Sequence, residues 1–377
     1  DDLVGREYVL FHHQNVKSYY EAFRDRIENA YPDRTDANAI KFYGNQYVGT
    51  KFRNSLAAST YLSDPFDVVT IEDNPTVPPD RIRDVVYKYG LAAGGFQKSV
   101  FVEGKMQTEI DSTYGLDPTE QYPTLMNLQI AEGYAMGAVR ELSLTGWGDV
   151  PNDEVVNNLV RSDGTVAAET QNLIDFIKAN QRLLDGAVPA NDVAVVLSLP
   201  TVLWRTLPQW QEWEEQAQTH VDSFLGAAEL LRTAQTPYDV VLLGHEDLWT
   251  DEDQLDRLSS YETVVFPSIE CISSRQTTAV EAAVADGTTL LVSGTAPDRT
   301  DMFDPQREFA DTVMDAEGVT QLPDDPTRQW KQSGDGESSF ISALDESTTR
   351  QVEITGAENI GVNVLQHPKE EFTCIHL

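Results

Sequence analysis

The chain has 377 residues, and its 62 acidic and 27 basic side chains give a net charge of −35. The acids are spread along the whole length beside 14 Phe, 14 Tyr and 6 Trp, which excludes a disordered acidic protein, and the lack of a basic patch argues against nucleic acid as a partner. No apolar run approaches the roughly 18 residues of a membrane span, so no membrane partner is expected. Dispersed acids with little Lys are instead typical of a halophile, because concentrated salt screens their self-repulsion.

The first predicted element is a long amphipathic helix. Apolar residues recur at spacings of seven, four, three and four from Val9 to Ile27, and Pro32 ends the helix. His12 and His13 lie within it. Adjacent residues of a helix do not face each other, so this pair predicts no metal site.

Strands and helices then alternate as far as residue 186. Strands are predicted at 39–43, 66–71, 99–102 and 141–145, each followed by a helix, and this alternation indicates a parallel sheet. Four such units cannot close a (β/α)8 barrel. We therefore expect residues 1–188 to be the C-terminal half of a TIM barrel, strands five to eight, with the N-terminal half outside the chain.

A second α/β domain is predicted for residues 189–318. Its apolar strands alternate with helices from Val193 to Ser293, as in a doubly wound sheet of the flavodoxin type. Residues 319–377 are expected to be a connector followed by the start of a small β-sandwich domain. The stretch from Thr300 to Ser347 is acidic and punctuated by Gly and Pro, which predicts a loop-rich connector.

Glu103 is the strongest candidate for catalysis. It follows a wholly apolar strand and precedes Gly104, at the carboxyl end of a barrel strand, where catalytic residues of such barrels lie. Glycoside cleavage needs two carboxyl groups, about 5–5.5 Å apart in retaining enzymes. An ordinary surface glutamate at a strand end is the alternative interpretation.

Polar residues follow the other predicted barrel strands. Glu72 and Asp73 could bind sugar hydroxyls or orient Glu103, or they could belong to the turn before Asn74 and Pro75. Asn45 follows the first strand. Trp147, between two glycines, could stack on a sugar ring or plug the barrel.

The second domain carries no pattern for a cofactor. Cys271 follows a strand, but the glycines of a nucleophile elbow are missing, so we interpret it as a structural residue. No Gly-rich phosphate loop follows the strand that begins at Val193, which argues against flavin or nucleotide binding. Cys271 and Cys374 are isolated and predict neither a disulfide framework nor a metal site. No cofactor and no metal are therefore expected.

Several of these motifs together resemble glycoside hydrolase family 42, the β-galactosidase-like enzymes. They are Asp67 to Pro75, Val100 to Glu103, Ala131 to Ala138, Leu142 to Gly148 and Leu159 to Thr165. The resemblance implies that Glu103 is the nucleophile on the seventh barrel strand and that Trp147 matches a Trp of the last strand. It also implies that residues 189–318 are a trimerisation domain and that the end of the chain begins the family's C-terminal β-domain.

Two features depart from that family. Its acid/base glutamate follows the fourth strand, so the matching residue should lie upstream of Asp1. Glu72 and Asp73 replace a pattern that contains Trp and Asp in typical members, which puts galactose specificity in question. We expect a retaining hydrolase of terminal β-glycosides with a carbohydrate substrate, inactive as this chain alone. The alternative is a non-catalytic carbohydrate-binding or assembly protein that retains the scaffold.

Overall fold

The computed structural model is an α/β protein whose described part contains a four-stranded parallel sheet, a five-stranded parallel sheet and a three-stranded antiparallel sheet. The structure describes residues 3–34, 40–44, 65–73, 99–104, 127–128, 130–136, 139–140, 168–184, 187–206, 218–355, 360–367 and 372–376.

The first helix, α1 (Leu3–Ala30), ends just before Pro32, as the sequence predicts. One side of it packs against the unit built on the five-stranded sheet. Leu10 is buried in a core cluster of that unit, and Arg6 forms an ion pair of 3.2 Å with Asp304. The helix therefore joins the two α/β parts of the chain.

The four-stranded sheet has its strands in chain order, all parallel. They are β1 (Tyr43–Gly44), β2 (Val68–Asp73), β3 (Ser99–Gly104) and β4 (Val139–Arg140). Sequential parallel strands are the arrangement expected for part of a TIM barrel. The fourth strand predicted at 141–145 lies outside the described residues. The helix predicted after it forms two helices, α2 (Ala168–Ala179) and α3 (Gln181–Leu184).

The five-stranded sheet is parallel throughout and has the spatial order β10-β9-β8-β6-β7. Its strands are β6 (Val193–Ser198), β7 (Tyr238–Leu243), β8 (Thr263–Pro267), β9 (Thr289–Ser293) and β10 (Val319–Leu322). Counted along the chain, this order is 5-4-3-1-2. The order reverses between β6 and β8, which is a topological switch point of a doubly wound sheet.

Helices cover both faces of this sheet, which explains why its strands are apolar runs without alternation. Val195 and Leu197 pack on one face with Phe224, while Val196 packs on the other with Val280. The helices of this unit are α4 (Leu199–Thr206), α5 (Gln218–Thr233), α6 (Glu252–Asp256), α7 (Ser274–Ala285), α8 (Glu308–Thr312), α9 (Pro326–Ser333) and α10 (Glu337–Ser347), with a 3-10 turn at Leu258–Ser260.

The loop-rich connector expected from Thr300 to Ser347 is wrong. This stretch contains α8, β10, α9 and α10, and β10 pairs with β9 as an edge strand of the sheet. Phe340 and Leu344 of α10 are fully buried in the core of the same unit. Its punctuating residues are helix ends: Pro326 begins α9, and Gly334 ends it in the left-handed conformation.

The antiparallel sheet has the order β12-β11-β5 and is formed by β5 (Val188–Pro189), β11 (Asn363–His367) and β12 (Phe372–His376). Two buried amides tie it to its neighbours. Asn191 donates to Asp239 of β7 at 2.6 Å and to Asn363 at 3.2 Å, and Asn363 donates to the carbonyl of Ala135 at 2.8 Å. One hydrogen-bonded chain thus links β7, β11 and the helical segment that contains Ala135.

Candidate active site

Two glutamates occupy neighbouring positions at the carboxyl edge of the four-stranded sheet. Strands β2 and β3 pair over six positions, with Glu72 opposite Glu103 and Asp73 opposite Gly104. Adjacent strands lie about 4.8 Å apart. The structure thus brings together three of the predicted site positions, 72, 73 and 103. It also extends β3 through Gly104, so Glu103 lies within the strand rather than just after it.

Asn45 and Trp147, the other two predicted site residues, lie outside the described residues. Asn45 directly follows β1, whose last residue Gly44 pairs with Val69 of β2. Both residues stay predictions.

An ion pair fixes the entrance to β1 and β2. Arg24 of α1 donates to a carboxylate oxygen of Asp67 at 3.1 Å and to the carbonyl of Pro65 at 3.0 Å, while the other Asp67 oxygen accepts the Phe42 N–H at 2.9 Å. Partial burial acts to raise the pKa of Asp67, but the hydrogen bonds from Phe42 and Arg24 outweigh it and hold that pKa below its ordinary value. Asp67 therefore remains ionised and fastens the strand that carries Glu72 to α1.

The carboxyl edge of the five-stranded sheet is filled by protein. Cys271 is fully buried; its N–H donates to the hydroxyl of Thr201 at 2.9 Å, and its carbonyl accepts from Ser198 at 3.0 Å. A buried cysteine in such a setting is a small core residue rather than a nucleophile. Cys271 thus has the structural environment that the sequence indicates.

His220, which the sequence gives no reason to single out, joins β6 and β8 at the switch point. Its Nδ1–H donates to the carbonyl of Pro267 at 2.6 Å, and its Nε2 accepts the N–H of Ser198 at 3.0 Å, which assigns the tautomer. Complete burial lowers its pKa to about 4, so the ring is neutral at physiological pH. Because both ring nitrogens are used within the protein, His220 acts as a strut between two strands.

Asp325, at the start of α9, was also missed. Its carboxylate accepts hydrogen bonds from hydroxyl groups of α5, β9 and the turn after β8. A signal was present, because Asp325 precedes Pro326, and an aspartate before proline is typical of a helix N-terminus. The described residues contain no group of three or more His, Cys, Asp and Glu that could hold a metal ion. None of the helices in the described ranges is long and apolar enough to span a membrane.

The sequential parallel sheet, the doubly wound sheet and the antiparallel strands define a class of α/β fold that contains a TIM-barrel component. Comparison with solved structures makes this class specific: the chain has a fold like that of glycoside hydrolase family 42. No protein-family model matches the chain, and no curated protein matches it.

Three solved structures illustrate the likeness. A GH42 β-galactosidase from G. stearothermophilus superposes with a TM-score of 0.63 at 11% identity, over 95% of this chain and 61% of that one. The α-L-fucosidase isoenzyme 2 from Paenibacillus thiaminolyticus gives 0.56 at 14% identity, over 94% and 59%. A polyextremophilic β-galactosidase from the Antarctic haloarchaeon Halorubrum lacusprofundi gives 0.52 at 16% identity, over 80% and 43%. The chain thus spans about three fifths or less of the length of these structures.

Proposed function

We propose that the protein containing this chain is a retaining glycoside hydrolase that acts on terminal β-glycosides, with β-galactoside-like substrates. The observation that carries the proposal is the position of Glu103, which lies at the carboxyl end of a parallel strand and in register with Glu72. In barrel enzymes, the carboxyl ends of the strands bear the catalytic groups. The GH42-like fold, shared with β-galactosidases and a fucosidase, supports the same reaction class.

In this mechanism the Glu103 carboxylate attacks the anomeric carbon and forms a covalent glycosyl-enzyme. The bond from the anomeric carbon to the leaving oxygen breaks, and a carboxylic acid donates a proton to that oxygen. Water then hydrolyses the intermediate and releases the sugar and Glu103. We place the proton donor outside this chain, on barrel units that complete the four-stranded sheet. Asn45, Glu72, Asp73 and Trp147 would hold the sugar.

We further infer that the unit on the five-stranded sheet is a flavodoxin-like domain that assembles the protein, as a homotrimer through residues 189–318. Its strand order supports the flavodoxin-like assignment. Since β10, α9 and α10 share its core, we extend this domain beyond residue 318 to Ser347. A monomer in gel filtration at high salt would contradict the trimer.

The experiment is hydrolysis of a panel of nitrophenyl glycosides in concentrated potassium chloride by the longest polypeptide that the gene encodes. Glu103→Gln removes the nucleophile while keeping the side-chain shape, and we expect kcat to fall by several orders of magnitude. Glu169→Gln is the matched control, because Glu169 is exposed in the first turn of α2. We expect residues 1–377 alone to be inactive, since the reaction needs two carboxyl groups.

The outcomes separate the two candidate functions. Full activity in Glu103→Gln would move the nucleophile elsewhere, with Glu72 as the next candidate. A folded protein that binds sugars but hydrolyses none of the panel would favour the alternative, a carbohydrate-binding or assembly protein on the same scaffold.

A further inference from the structure

Four buried hydroxyl groups converge on one carboxylate at the carboxyl edge of the five-stranded sheet. Three of them lie 2.8, 3.2 and 2.9 Å from Oδ1 of Asp325, and the fourth lies 2.5 Å from Oδ2. Every one of these four residues is at most 1% exposed. We call them the hydroxyl nest: in the order of those distances they are Ser223 on α5, Ser293 at the end of β9, Thr327 on α9 and Ser268 after β8.

The hydroxyl nest has the chemistry of a carboxylate-binding site. The N–H of Arg328 adds a further donor to Oδ1, at 3.1 Å. Converging O–H and N–H donors bind carboxylates through charge-assisted hydrogen bonds. The nest also lies at the carboxyl ends of parallel strands beside the switch point, where doubly wound sheets bind their ligands.

The backbone is shaped to bring Asp325 into this position. Asp324 and Asp325 have φ angles of 63° and 46°, in the left-handed region that side chains with a Cβ seldom adopt. Gly294 allows the approach, because a Cβ there would lie 2.8 Å from the Cβ of Asp325. At Gly226, a Cβ would lie 1.7 Å from the carbonyl oxygen of Thr327, so α9 packs directly on α5.

From these contacts we propose that the hydroxyl nest is a binding site for a small carboxylate, which the chain occupies with its own Asp325. The Asp325 side chain stands in for a free ligand such as formate or acetate. The same contact pins the segment of α9 and α10 over the carboxyl edge of the sheet. This site is separate from the proposed glycosidase site and does not depend on it.

The test removes the internal ligand and supplies an external one. Asp325→Gly deletes the carboxylate at a position whose positive φ suits glycine. The melting temperature of the 377-residue chain is measured while potassium formate replaces potassium chloride at constant ionic strength. We expect Asp325→Gly to melt lower than wild type in chloride and to recover by about 4 °C or more in formate, because a ligand that binds the folded state raises Tm. Wild type should not respond, since its nest is filled.

Asp324→Gly is the matched control. It makes the same substitution at the adjacent left-handed residue, whose side chain is exposed and has no described contact with the nest. It should show no specific response to formate. Adding Ser293→Ala to Asp325→Gly should raise the formate concentration needed for half of the recovery several-fold.

If Asp325→Gly does not fold in chloride, formate is expected to restore its far-ultraviolet circular dichroism. A response of equal size in wild type, Asp324→Gly and Asp325→Gly would overturn the proposal, because it would be a general salt effect. The absence of any formate effect on Asp325→Gly, folded or unfolded, would overturn it too.

Discussion

Replacing Phe340 by alanine tests whether α10 belongs to the core of the five-stranded sheet unit. The Phe340 ring is 0% exposed and packs in the cluster that includes Leu322 of β10 and Leu344 of α10. Truncating a buried Phe to Ala removes its transfer free energy and leaves a cavity, at a cost of about 3–5 kcal/mol. We expect Phe340→Ala to lower the free energy of unfolding by about 4 kcal/mol.

The measurement is urea denaturation at fixed potassium chloride, monitored by circular dichroism, with the slope m compared between variants. Phe176→Ala is the matched control, because the Phe176 ring is 65% exposed on α2 and its loss should cost under about 0.5 kcal/mol. Equal, small effects of the two substitutions would refute the placement of α10 in the core and would restore the loop-rich connector.

Three further predictions follow from buried or dispersed charge. The folded pKa of His220, about 4, lies below its unfolded value near 6.5, so the unfolded state binds more protons between these values; stability should fall by about 3 kcal/mol as pH drops from 7 to 4, and His220→Gln should lose this part of the pH dependence in denaturant titrations. Arg257→Met removes the 2.9 Å ion-pair partner of buried Asp239 and should cost about 3 kcal/mol at pH 7. It should cost less near pH 4, because burial raises the pKa of Asp239 and lets it take up a proton; equal costs at both pH values would contradict this. Because the net charge is −35, Tm should rise steadily from dilute to molar potassium chloride in differential scanning calorimetry, and a flat profile would argue against the halophilic interpretation.

The elements with a strong apolar signal were predictable from the sequence. Strand β6 was assigned without error, because a strand buried on both faces must be apolar throughout. The end of α1 before Pro32 follows from the proline ring, which cannot continue a helix. The class of edge that carries Glu103 was also predictable, since parallel strands place their carboxyl ends together.

The remaining features depend on tertiary contacts that leave little trace in a local pattern. The helices α9 and α10 are short and bounded by Pro and Gly, so their caps look like loop residues until Phe340 is seen in the core. The register that sets Glu72 beside Glu103 depends on strand pairing and not on either strand alone. His220 is a single histidine in an apolar helix, and its role emerges only when β6 and β8 meet it.

The central claim, that Glu103 is the nucleophile of a retaining glycosidase, is tested most directly by trapping the covalent intermediate. A 2-deoxy-2-fluoro glycoside slows hydrolysis of the glycosyl-enzyme, so the sugar stays attached to the nucleophile for peptide mapping by mass spectrometry. The longest polypeptide that the gene encodes should carry one sugar, on the peptide that contains Glu103, and Glu103→Gln should carry none. A sugar attached to another residue, or hydrolysis with inversion and no covalent adduct, would contradict the account.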